Sequence, residues 1–173
     1  MFDSIAEFAR KHSPFEAGEL KVGLVKAGHG LSFVALKPEG ALKELRSFEA
    51  SVVRGLGRLR APFVETGREY RGSKRLTPRQ AYYLHAWGYP YVLDEFDPHF
   101  TLTNAIPDAD RVAGLLEWGF GLRVASRALH VDALTLFGQG EPGGEFRILR
   151  RFPLGRPHRS RRSMRALAPA VFD

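Results

Sequence analysis

The residues with the clearest chemical potential lie in Pro98-His99-Phe100-Thr101-Leu102-Thr103-Asn104. β-branching at Thr101 and Thr103 and the alternation of Phe100 with Leu102 predict a strand from Pro98 on. Successive strand side chains point to opposite faces. Phe100 and Leu102 are therefore expected to face a core, while His99, Thr101 and Thr103 project together from the other side. An imidazole titrates near neutral pH and can move a proton. Two hydroxyls beside it can donate hydrogen bonds to a phosphate without adding charge.

The remaining chemical candidates are weaker. His12 falls at a helix end, His29 in a glycine turn and His85 on a helix, and His130 opens a strand with Asp132 two residues on. His158-Arg159-Ser160 repeats the His-x-Ser/Thr spacing, but in a stretch rich in proline and arginine. Gly138-Gln139-Gly140-Glu141-Pro142-Gly143 has glycines at dinucleotide-fingerprint spacing, yet a strand follows where that chemistry needs a helix N-terminus, so a hairpin turn is expected. Asp97 and His99 are two ligands at most and define no metal site. No nucleophile-elbow or Walker sequence is present.

Several elements must position the His99 strand. A helix is expected over residues 3–12, with Asp3 as N-cap, and Ser13-Pro14 ends it. Leu20 to Leu24 and Leu31 to Leu36 read as a hairpin around Gly28-His29-Gly30, the second strand being apolar on both faces and so interior to a sheet. A helix follows over residues 39–54, stopped by Gly55 and Gly57. Residues 57–76 have no period and many arginines, which suits a solvated loop or one that offers positive charge to an anion. Thr77-Pro78-Arg79-Gln80 is a capping box with proline at the first helical position; that helix runs to Trp87, with Gly88 just past its end. A helix over residues 108–128 and strands at 130–137 and 145–152 complete the order. The mixture predicts an α+β fold with mainly antiparallel sheets covered by helices.

A chain of 173 residues fits one domain, and nothing in it approaches the length of a membrane span. With no cysteine there is neither a disulfide nor a thiolate metal site. The N-terminus lacks a signal-peptide pattern, so a cytoplasmic protein is expected. The net charge of +7 is unevenly distributed. Residues 1–149 carry 19 basic and 18 acidic groups, and seven arginines from Arg150 to Arg165 supply most of the excess. A near-neutral domain over residues 1–154 and a basic, disordered tail over 155–173 are expected. Contact of that tail with RNA phosphates is a secondary reading.

Tyr89-Pro90-Tyr91-Val92-Leu93-Asp94-Glu95-Phe96, followed by Pro98-His99-Phe100-Thr101-Leu102-Thr103, resembles the second signature of the two-histidine phosphoesterases. The subfamily associated with phosphonate metabolism is the nearest in pattern. The likeness extends from Phe2 through the Thr77 helix start to Phe146–Leu154. It implies a two-lobed fold and hydrolysis of a small phosphodiester or cyclic phosphate, with no metal or other cofactor. One histidine removes a proton from the attacking oxygen while the other protonates the leaving oxygen. His99 would be one of that pair, Thr101 its phosphate-binding partner and Thr103 a further phosphate ligand. The first His-x-Thr would lie upstream of Met1, so the N-terminal strand is expected to be missing, leaving a sheet edge through which two copies could pair. A non-catalytic phosphate- or RNA-binding module and an inactive remnant are the alternatives.

Overall fold

The structure is a computed structural model that describes residues 1–40, 42–61, 76–121, 128–141 and 143–155. It is α+β, with four helices and two antiparallel sheets among those residues. The basic loop at 62–75 and the tail at 156–173, including His158 and Ser160, lie outside the described residues.

The larger sheet is built on a long strand, β1 (Phe15–Gly28), and its hairpin partner β2 (Leu31–Glu39). The turn between them places His29 and Gly30 at φ 51° and 74°, the paired left-handed conformation that a two-residue hairpin turn needs. On its other side β2 pairs with β3 (Phe100–Thr101), while the start of β1 pairs with β4 (Ala128–Val131). The order β3-β2-β1-β4 puts β2 inside the sheet, as its two apolar faces require. Val34 and Ala35, on opposite faces, are both fully buried.

The second sheet is the hairpin of β5 (Ala133–Gln139) and β6 (Phe146–Pro153). The run at 130–137 is therefore not one strand. It breaks at Asp132 and sends its halves to different sheets, because Asp132 turns its carbonyl to Leu154 N–H (2.8 Å) and its carboxylate to Arg151 (2.5 Å). The glycine-rich stretch is the hairpin turn, tied by Gln139 Nε2 to Gly144 O at 2.7 Å.

Helix α1 (Phe2–Arg10) is capped by Met1 without a side-chain bond, rather than by Asp3, which sits in its first turn. Its Ile5 and Ala9 form a buried cluster with Phe152 and Leu154, ringed by Phe15, Phe48, Val131, Leu134 and Leu136. This joins the second sheet to the first. Helix α2 (Leu42–Leu56) packs on β1 and runs through Gly55 instead of stopping there. Gly55 serves close packing, since a Cβ there would lie 2.5 Å from the Phe8 ring. Helix α3 (Pro78–Trp87) has the full capping box between Thr77 and Gln80, and Gly88 takes the left-handed conformation at its end. Helix α4 (Ala109–Gly121) packs on β1 and β2. No helix among the described residues is long and apolar enough to cross a membrane.

Candidate functional site

The approach to His99 is fixed by α3. After Gly88 the chain passes the buried Pro90 and Val92 into a 3-10 turn at Leu93–Glu95. Leu93 has φ 59°, which is costly for a leucine and persists only where its surroundings hold it. They do so here. Both carboxylate oxygens of Glu49, on α2, accept the Leu93 N–H at 3.2 Å. Burial pushes the Glu49 carboxyl above its ordinary range, against the opposing pull of that N–H and of Arg54. Arg79 and Tyr83 of α3 both donate to the Asp94 carboxylate, and Gln80, already in the capping box, donates to Glu95 at 2.9 Å. The same short sequence thus starts α3 and anchors the turn that leads to His99.

His99 is exposed at the entrance to β3. Its Nδ1 lies 2.8 Å from the Asp97 carbonyl oxygen. A carbonyl can only accept, so Nδ1 carries the proton and the neutral ring keeps its lone pair on Nε2, free to act as a base. The Asp97 carboxylate meanwhile pairs with Lys37 of β2 at 3.0 Å. Thr101, two residues on, is exposed and pairs in register with Ala35.

The strand is shorter than the alternation predicts, and its apolar side chains do not face a core. Phe100 and Leu102 are 49 % and 39 % exposed, because β3 lies at the edge of the larger sheet. Its length has a specific cause. Leu102 N–H donates to Val34 O (2.8 Å), but Val34 N–H donates to Thr103 Oγ1 (3.0 Å) instead of returning the bond to a backbone carbonyl. A threonine hydroxyl competing with the ladder ends it. Pairing resumes at a single bridge between Ser32 and Ile106. Thr103 is therefore a structural acceptor with one hydroxyl proton left to give, whereas Thr101 has its hydroxyl at the surface.

Among the described residues, His12 and His130 stand apart from this site. His12 hydrogen-bonds to Phe8 O (2.9 Å) and stacks on the Phe8 ring, lining a shallow cleft with Ser13, Lys43, Ser47 and Ser51. His130, on β4, pairs with Glu16 of β1, at the opposite edge of the larger sheet from β3. Among the described residues no three histidine, aspartate or glutamate side chains are grouped to hold a metal ion. Lys37 is the member that sequence reasoning missed. It lies far from His99 in the chain, and only the pairing of β2 with β3 brings it there.

Residues 1–147 match the family described as "Protein of unknown function (DUF1045)", and the chain belongs to that family. It is similar to two proteins named ribose 1,5-bisphosphate phosphokinase PhnN. The one from Janthinobacterium sp. (strain Marseille) is 34 % identical over 128 residues, covering 71 % of this chain and 28 % of that protein. The one from Laribacter hongkongensis (strain HLHK9) is 30 % identical over 127 residues, covering 68 % and 27 %. The chain thus spans little more than a quarter of the length of either relative. No solved structure matches it.

Proposed function

We propose that this chain is a phosphodiesterase lobe of the two-histidine type, acting on a small cyclic phosphate. The carrying observation is the exposed His99 imidazole, its Nδ1 pinned to Asp97 O and its Nε2 left as the basic nitrogen, with the Thr101 hydroxyl two residues on. Nε2 takes a proton from water as the water oxygen attacks phosphorus. The ring P–O bond breaks, and a second acid protonates the departing oxygen. Thr101 donates to a phosphate oxygen. In this reading the α+β architecture is one form of the two-lobed fold, and the second acid comes from whichever segment carries the first His-x-Thr.

The relatives' name supports a sugar phosphate as substrate and a place in phosphonate breakdown. Their kinase chemistry needs a nucleotide-phosphate cradle, and this chain has no Walker sequence. We therefore assign the kinase step to the rest of those proteins. Opening a cyclic phosphate that bridges O1 and O2 of ribose 5-phosphate, by cleavage at O2, yields the ribose 1,5-bisphosphate of their name.

The test is hydrolysis of that cyclic phosphate and of nucleoside 2′,3′-cyclic phosphates, followed by ³¹P NMR. His99→Ala is expected to lower the rate by about 10²–10⁴-fold, the usual contribution of one proton-transfer group. Equal rates for wild type and His99→Ala would sink the catalytic role. A second reading is a phosphate-binding module without turnover, favoured by the single imidazole at this face among the described residues. It predicts phosphate affinity with no hydrolysis by any variant.

A further inference from the structure

We infer that Lys37 is a phosphate-binding residue of the His99 site, held ready by Asp97. This rests on the His99 reading for the location of the phosphate, but its observations are separate. Ala35 pairs with Thr101 and Leu36 with Phe100, so one further step of the register sets Lys37 opposite His99. Directly opposed residues in an antiparallel pair share a face. The Lys37 stem runs across Gly23, the residue of β1 that pairs with Ala35, where an added Cβ would lie 3.3 Å from Lys37 Cδ. His99, Thr101 and Lys37 therefore lie together on a face whose neighbouring row, Ala35 and Gly23, is made of small residues.

Asp97 ties the two functional groups together. Its carbonyl fixes His99 Nδ1 at 2.8 Å and its carboxylate holds Lys37 Nζ at 3.0 Å. An ammonium has three donors and Asp97 engages one, so two remain for phosphate oxygens. The Lys37 side chain is one-third exposed, enough for a phosphate oxygen to reach it. The next cation along the row, Lys21, lies on β1, one strand further from β3, and pairs with Glu39 at 2.8 Å. The assignment gives the site three kinds of group: a base (His99), a neutral donor (Thr101) and a positive charge (Lys37).

Opposite-signed variants test it. Inorganic phosphate is titrated into the protein and followed by ¹H–¹⁵N NMR or calorimetry. Lys37→Gln is expected to weaken binding about tenfold, the value of one charge-assisted hydrogen bond, and Lys37→Arg to restore most of it. Asp97→Asn removes the competing anion and is expected to strengthen binding. Lys11→Gln loses the same charge from an exposed pair with Glu7 at the C-terminal end of α1 and is expected to change nothing. If Lys37→Gln and Asp97→Asn weaken binding alike, the pair is merely structural and the inference falls. It also falls if Lys37→Gln binds phosphate like wild type while His99→Ala abolishes turnover, an outcome that leaves the phosphodiesterase reading intact. Binding that follows Lys37 with no turnover in any variant removes the catalytic reading and keeps this one.

Discussion

The bond from Val34 N–H to Thr103 Oγ1 makes a sharp prediction, because it separates two threonines that look equivalent in the sequence. Val34 is fully buried and its N–H lies 3.0 Å from the hydroxyl oxygen. Thr103→Val keeps the side-chain shape and replaces that oxygen with a methyl group, leaving a buried donor without an acceptor. Such a loss costs about 1–3 kcal/mol. With a urea m-value of about 2 kcal/mol/M, ordinary for a domain of this size, the unfolding midpoint should fall by about 0.5–1.5 M. Thr103→Ser retains the oxygen and should recover most of the loss. Thr101→Val removes an exposed hydroxyl and should stay within about 0.5 kcal/mol of wild type. Urea curves read by circular dichroism and by tryptophan fluorescence would decide the matter. An unchanged midpoint for Thr103→Val would refute the claim that this hydroxyl ends β3 by substituting for the ladder. Phosphate titration of Thr101→Val, in turn, should show weaker binding without any loss of fold.

Two further perturbations probe how the approach to His99 is held. Gly88→Ala places a side chain at φ 76° with its Cβ 2.9 Å from Arg60 Nη1, the guanidinium group that bonds Ala86 O at 3.1 Å. Left-handed strain alone costs about 1–2 kcal/mol, so the melting temperature should drop by several degrees; an unshifted melt would contradict the capping account. The Glu49 carboxyl is raised above its ordinary value of 4.5, first by burial. Its contribution to stability is therefore fully present below the unfolded value and is lost as pH rises through the folded one. Glu49→Gln keeps an acceptor for Leu93 N–H without the charge, so it should gain on wild type as pH rises from about 4 to about 7. A variant that loses ground across that range in pH-resolved urea curves would overturn this assignment.

What the sequence discloses and what it conceals divide along a physical line. Local signals were legible: the Thr77 capping box, the left-handed Gly88 that ends α3, the Gly28-His29-Gly30 turn and the doubly apolar interior strand β2 each depend on residues a few positions apart. The two-residue spacing of His99 and Thr101 was legible, but not the exposure of Phe100 and Leu102 between and beyond them, which local alternation assigns to a core. Three features were not legible, and each depends on a partner distant in the chain. The break at Asp132 is set by Leu154 and Arg151. The shortness of β3 is set by Val34, whose N–H bonds the Thr103 hydroxyl oxygen in place of a backbone carbonyl. The place of Lys37 is set by the register of β2 against β3. That register changes the chemistry under discussion. A histidine with two hydroxyls would meet a phosphate with hydrogen bonds alone, whereas the inferred role of Lys37 adds a positive charge for the anion. The Asp97 backbone and side chain serve the two groups at once, so a substitution that displaces residue 97 should disturb base and cation together, while one confined to its carboxylate should reach only the cation.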